Sequence, residues 1–397
     1  MNGRENKMTK LNKKTSIDLR QYGMMIALVL IYLFFTALTG GTNTTPMNIN
    51  NLIMQNGYVI ILAVGMLLCC LTGNVDLGVG SVVAVCGAVA AICVVDFHLP
   101  VIVAFLAALL TGILFGVFNG FFIAALSIPP FIVTLGTMLI GRGLCYTVLQ
   151  AQTKGPLPAS YTAIGAGFFP SPKIAIFGTQ YNLVALLFAV VATLAVIYII
   201  LKDRKTKQEH NFETPELYLD IIKMAVICFL IWFILLKLAR YKGIPNVMIL
   251  MMVLIAFYQF LTSKMVSGRQ IYALGGNAKA ARLSGINTQK VFFWVYVNMG
   301  LLCGIAGIVL SARNASATPK AGDSFEMDAI ASCYIGGTAV AGGSGTVMGA
   351  VIGALIMGIL NNGMSLCGLS TDIQKIVKGL VLLGAVTVDL VSKRKKK

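Results

Sequence analysis

The 397-residue chain is 57% hydrophobic and only 11% charged, with a mean hydropathy of +0.85. Soluble domains carry roughly 25% charged residues, and a soluble chain this long could not cover its core with so few, which all but excludes a soluble enzyme or a nucleic-acid binder. The composition predicts an all-α, polytopic integral membrane protein, and the net charge of +17, from 31 basic and 14 acidic residues, becomes a question of which side of the bilayer holds the cations.

Apolar runs long enough to cross a hydrocarbon core of about 30 Å predict about twelve spans. They lie near 22–38, 52–71, 77–95, 101–126, 131–149, 181–201, 221–238, 247–263, 291–311, 328–343, 346–363 and 374–391. Glycine runs soften the edges around 71–80 and 340–346, which leaves a range of ten to twelve, some broken or re-entrant. The first run has a full-length apolar core, and its exit, Thr39-Gly40-Gly41-Thr42, lacks a small-x-small cleavage pattern. It therefore reads as a retained signal-anchor helix.

An even number of spans puts both termini on one side. The segments on that side, 1–21, 202–223, 264–290 and 392–397, hold 21 of the lysines and arginines, against seven in 150–180, 237–246 and 312–327. By the positive-inside rule both termini are expected in the cytoplasm, in a multi-pass protein of the cytoplasmic membrane. The expected organisation is a basic N-terminal segment over 1–21, a transmembrane domain over 22–391 and a basic tail over 392–397. Within that domain, 202–220 reads as a charged, solvated loop. Segment 264–290 is a cytoplasmic loop with local order, and proline-rich 150–180 reads as an irregular outer loop. Gly78-Val79-Gly80-Ser81-Val82 and Gly343-Ser344-Gly345-Thr346-Val347 are weakly self-similar.

Catalytic patterns are absent. His98 and His210 have no partner arrangement for general-base work, and the nine cysteines form no CxxC pair and read as small buried hydrophobes. No GxxxxGK[ST] phosphate loop occurs, so ATP and Mg, if used, belong to another subunit. No metal site and no cofactor are expected in this chain.

Polar residues at membrane depth are the candidates for a substrate pathway. Thr72-Gly73-Asn74-Val75-Asp76-Leu77-Gly78-Val79-Gly80-Ser81 places Asp76 in flexible backbone between two apolar runs. Either the helix breaks there to line a path, or Asp76 caps the helix that follows. Arg142, deep in its run, needs a partner or water: an ion pair with a carboxylate such as Asp76 is structural, and a polar path is functional. Asn119, Asn298, Asn361 and Asn362 lie within spans and can meet sugar hydroxyls or join helices.

In Tyr272–Ile286, Asn277 can cap a two-turn helix that Gly285 ends. Ala280, Ala281 and Leu283 give it an apolar side, and Lys279 and Arg282 remain for an acidic partner. A helix this short is marginal alone, so docking into a partner's groove is favoured over lying on lipid.

Gly275-Gly276-Asn277-x-x-Ala280-Ala281-Arg282-Leu283-Ser284-Gly285-Ile286 resembles the coupling segment of permease subunits of monosaccharide ABC importers, the ribose, xylose and galactose type. Asp76-Leu77-x-Val79-Gly80-Ser81, Asn119-Gly120, Ile128-Pro129-Pro130-Phe131, Ile335-Gly336-Gly337-Thr338, Gly342-Gly343-x-Gly345-Thr346 and Asn361-Asn362-Gly363 follow in family order. The extra apolar pair at 202–263 is similar to the xylose-type and multiple-sugar permeases. Gly78 and Asn74 depart from the usual Ser and Gly, so this motif carries over no sugar preference. The resemblance implies a non-enzymatic, dimeric permease that accepts a monosaccharide, such as a xylose-like pentose, from an extracytoplasmic binding protein. A separate ATPase subunit would contact Gly275, Gly276, Asn277, Ala280, Ala281, Arg282 and Gly285. The rival expectation is an ion-coupled secondary transporter with Asp76 as its proton or sodium site.

Overall fold

A computed structural model describes residues 19–176, 178–210 and 217–394. Most of the basic N-terminal segment, the last three residues of the tail and the middle of the charged loop lie outside these.

The chain opens with helices α1 (Leu19–Leu38) and α2 (Pro46–Leu71). Pro46 sits in the first turn of α2 and the Thr45 hydroxyl accepts from the Asn48 N–H, so the helix start is set locally. After the non-helical 72–78 come α3 (Val79–Val95), α4 (Val101–Ala124) and α5 (Pro130–Val148). Segment 150–180 is more ordered than expected. It holds the short helix α6 (Ala159–Ala166) and an antiparallel hairpin of β1 (Lys173–Ile176) and β2 (Thr179–Asn182), with Lys173 opposite Asn182.

α7 (Leu183–Glu209) and α8 (Leu217–Ala239) run through most of what reads as a solvated loop. The charged residues there are good helix formers and pair one turn apart, Lys207 with Asp203 at 2.6 Å and Lys205 with Glu209 at 3.8 Å. Next come α9 (Asn246–Lys264), α10 (Val266–Gly276), α11 (Ala278–Leu283) and α12 (Thr288–Asn314). The chain ends with α13 (Phe325–Ile335), α14 (Val347–Leu366) and α15 (Thr371–Arg394).

Among the described residues, eight helices are long and apolar enough to cross a membrane, and Gly23–Leu38 and Val79–Val95 are shorter apolar helices. The run at 328–343 is not one continuous span. Its helix is α13, only 11 residues long, and residues 336–346 are non-helical. Gly337, Gly342 and Gly343 adopt positive φ there, a conformation that ends a helix but that hydropathy does not register.

α2 and α12 form the centre of the bundle, with 78% and 72% of their apolar windows buried, whereas α7 and α8 are 11% buried and stand at the periphery. The seam between α4 and α12 is backbone against backbone. A Cβ on Gly112 would strike the Gly300 carbonyl, and one on Gly116 would lie 2.8 Å from the Val297 Cα. Small residues allow this approach, which is a way for helices to associate in lipid, where apolar side chains gain little by leaving the solvent.

Candidate functional site

Two breaks in the helical bundle position the polar residues. The first is 72–78. Asp76 is buried and its Oδ1 accepts from the Gly78 N–H at 2.8 Å. No side chain caps the first turn of α3, so Asp76 braces the turn before the helix and does not cap the helix itself. The second break follows α12. Residues 315–324 leave that helix beside Lys154, with Ala317 and Lys154 exchanging backbone hydrogen bonds, and reach inward until Gly322 meets Gly80 in the first turn of α3.

Arg142 belongs to this second break. Its Nη1 donates to the carbonyls of Pro319 at 2.9 Å and Ala321 at 2.7 Å. The expected alternative of an ion pair with Asp76 is not formed; the guanidinium instead pins re-entrant backbone, whose carbonyls would otherwise lack donors at membrane depth.

The asparagines divide. Asn119 on α4 accepts from the Thr137 hydroxyl of α5 at 2.5 Å, and Asn298 on α12 accepts from the Tyr258 hydroxyl of α9. Asn362 and Asn48 exchange amide hydrogen bonds of 2.9 and 3.1 Å between α14 and α2. These three act as interhelical contacts. Asn361 differs: its Nδ2 donates to Asp328 Oδ2 at 3.4 Å while its Oδ1 is buried without a partner.

That contact leads to a cluster absent from the sequence reading. Asp328, in the first turn of α13, is 3% exposed and pairs through Oδ2 with Lys378 of α15 at 2.9 Å, while its Oδ1 has no partner. One turn back on α15, Lys375 meets the exposed Asp323 at 2.7 Å, and this hydrogen-bonded ammonium holds the Asp323 carboxyl below its usual range. The signal was the two lysines at 375 and 378 in an apolar run: a cation buried there, as Lys378 is, requires an acid, and the chain has only 14. Among the described residues no group of three His, Cys, Asp or Glu is placed to hold a metal. All nine cysteines are free; six are buried and Cys367 is exposed.

At the opposite end of the bundle from Lys154, the 264–290 segment folds as α10 and α11. The Asn277 side chain caps α11 by accepting from the Ala280 N–H at 3.0 Å, and Gly285 takes φ +84° where the helix ends. Leu283 is 90% exposed and Lys279, Ala280 and Arg282 face outward beside it, whereas Ala281 is buried against the protein. The presumed apolar side is thus split, with Ala281 facing inward. Behind α11, Gly275 packs against the Leu71 carbonyl and the Gly343 nitrogen. The Gly343 N–H donates to that same carbonyl at 2.8 Å, and the Tyr272 hydroxyl donates to the Gly345 carbonyl at 2.7 Å. Segment 264–276 therefore touches the end of α2, where the first break begins, and the non-helical 336–346.

The described residues thus form a bundle of helices long and apolar enough to cross a membrane, with broken segments and a short helix exposed at one end. The chain matches the family described as branched-chain amino acid transport system permease component over residues 48–206 and 205–386, and it belongs to that family. The xylose transport system permease protein XylH of Haemophilus influenzae is 37% identical to it over 386 residues, 96% of this chain and 99% of that protein. XylH of Escherichia coli is also 37% identical, over 96% of this chain and 94% of its own length. The ribose import permease protein RbsC of Escherichia coli is 34% identical over 375 residues, 94% of this chain and 95% of its own. No solved structure matches the chain.

Proposed function

We propose that this chain is the membrane-spanning subunit of an ATP-binding-cassette importer for a monosaccharide, a pentose of the xylose or ribose kind. It performs no covalent chemistry. An extracytoplasmic binding protein delivers the sugar at the end carrying 150–182, and a separate ATPase docks at Gly275–Gly285. Two copies of the chain enclose the path, and both termini and the 264–290 segment lie in the cytoplasm, in keeping with the lysine and arginine bias.

The observation that carries this reading is the joint made by Gly275, Leu71 and Gly343. A push on the exposed face of α11 reaches, within one residue layer, both the start of the Asp76 break and the non-helical segment after α13. Coupling that must cross a membrane travels well through such rigid, directly touching backbone. The sugar class comes from the full-length relatives, all of them sugar permeases by name. An ion-coupled mechanism through Asp76 is not favoured, because it leaves the capped α11 without a task.

Reconstitution into proteoliposomes tests the proposal. Uptake of labelled xylose or ribose is expected only with the ATPase, ATP and the binding protein present. Uptake driven by a proton or sodium gradient alone would overturn it.

A further inference from the structure

We infer that Asp328 and Asn361 form a solute-binding station inside the permease, built to accept hydrogen bonds from the hydroxyl groups of a neutral polyol. The inference rests on the importer reading above and adds to it the residues that meet the sugar during passage.

Two acceptors in one network are left without donors. Asp328 Oδ1 and Asn361 Oδ1 are both buried and unpartnered, and the two side chains are joined through the Asn361 amide and Asp328 Oδ2. A buried carboxylate oxygen and an amide oxygen without donors carry a desolvation cost that an occupant can relieve only by donating. A pair of sugar hydroxyls supplies such donors. Lys378 on Oδ2 already balances the carboxylate charge, so the station is neutral and suits an uncharged solute.

The surroundings fit the same class. Tyr58 of α2 stacks on Phe325, one turn before Asp328, at 4.4 Å between centroids, which places two aromatic rings next to the cluster. The station has a polar approach, because Lys375 and Asp323 form an exposed pair one turn away along α15. By contrast, a solute of similar size with no O–H or N–H donor would leave both acceptors unsatisfied. Asp328, Asn361 and Lys378 lie outside both the 72–78 break and the 315–324 segment that Arg142 holds.

The test uses the full chain in nanodiscs without a binding protein, with saturation-transfer NMR of D-xylose, D-ribose and tetrahydropyran, a ring of the same size with no donor. Sugar protons are expected to receive saturation from the wild-type protein and tetrahydropyran protons are not. Asn361→Leu, which leaves the Asp328–Lys378 pair in place, is expected to weaken sugar affinity about tenfold, the scale of one lost buried hydrogen bond. Pentoses lacking one hydroxyl probe the same contacts with no substitution at all: at least one is expected to bind the wild type about tenfold more weakly than the parent sugar and to lose nothing further in Asn361→Leu. Sugar affinity unchanged by Asn361→Leu and by every deoxygenation, absent sugar saturation, or equal tetrahydropyran saturation would each overturn the station. Sugar uptake by the wild-type chain with its ATPase and binding protein, run alongside, shows whether the importer reading survives that result.

Discussion

Gly275→Ala tests the joint between α10, which leads into α11, and the broken segments most directly. A Cβ at Gly275 would fall on the hydrogen bond from the Gly343 N–H to the Leu71 carbonyl, overlapping the oxygen and lying 2.7 Å from the nitrogen. Either α10 retreats or that bond opens. Retreat is an overpacking change of about 1–3 kcal/mol, and opening loses a hydrogen bond of about 0.5–1.5 kcal/mol, so the substitution costs roughly 0.5–3 kcal/mol by one route or the other. Its neighbour supplies the control. A Cβ at Gly276 meets nothing within 4 Å, so Gly276→Ala is expected to change stability by less than about 0.5 kcal/mol. The assays are thermal unfolding of the purified permease and sugar molecules moved per ATP hydrolysed in proteoliposomes. Gly275→Ala is expected to lower both values and Gly276→Ala to leave the unfolding temperature at the wild-type level. Equal unfolding temperatures and equal coupling ratios for wild type and Gly275→Ala would refute the joint.

Other outcomes follow from single contacts. Arg142→Met strips donors from the Pro319 and Ala321 carbonyls and is expected to abolish uptake, with Arg142→Lys restoring only part of it; full uptake by Arg142→Met would contradict the clamp. Asn48→Ala leaves the Asn362 amide unpaired and the buried Asn43 oxygens without their Asn48 donor, and should destabilise the protein by about 1–3 kcal/mol, whereas Asn48→Val with Asn362→Leu should recover only the Asn362 part of the loss on thermal unfolding. Lys378→Met abandons the buried Asp328 carboxylate and should cost about 3–5 kcal/mol, more than Lys378→Met combined with Asp328→Asn. Arg282→Glu with Leu283→Asp changes only outward-facing side chains, so the permease should insert normally but fail to co-purify with its ATPase; equal recovery of the ATPase would count against the docking face.

Much of this molecule is legible in its sequence, because bilayer thickness sets helix length and composition reveals it. The α11 cap was readable from Asn277 and Gly285, whose conformational preferences are local. The break at 72–78 was legible as one carboxylate among glycines. What escaped was long-range. Asp328 stood at the edge of an apolar run and looked like a boundary, and its partner Lys378 lies 50 residues away; only packing of α13 against α15 joins them. The run at 328–343 failed as a span because hydropathy counts Ala, Val and Gly as membrane-compatible without asking which φ they adopt. Arg142 invited pairing with an acid, yet the structure gives it carbonyls, a choice that sequence spacing does not encode. Ala281 likewise shares the helical repeat of its exposed neighbours, and only contact with the rest of the fold turns it inward.

The glycine seam between α4 and α12 limits where this protein can bend. Side chains that interdigitate can change rotamer and let helices slide, but Gly112 and Gly116 meet Gly300, Tyr296 and Val297 through main-chain atoms with nothing to rearrange. That seam behaves as a weld, so α4 and α12 travel as one beam. Any alternation between outward and inward openings must hinge elsewhere, at 72–78 and 336–346, where the chain leaves its regular helices. A spin-label pair across the seam should then report one fixed distance through the ATP cycle, while a pair spanning either hinge reports two.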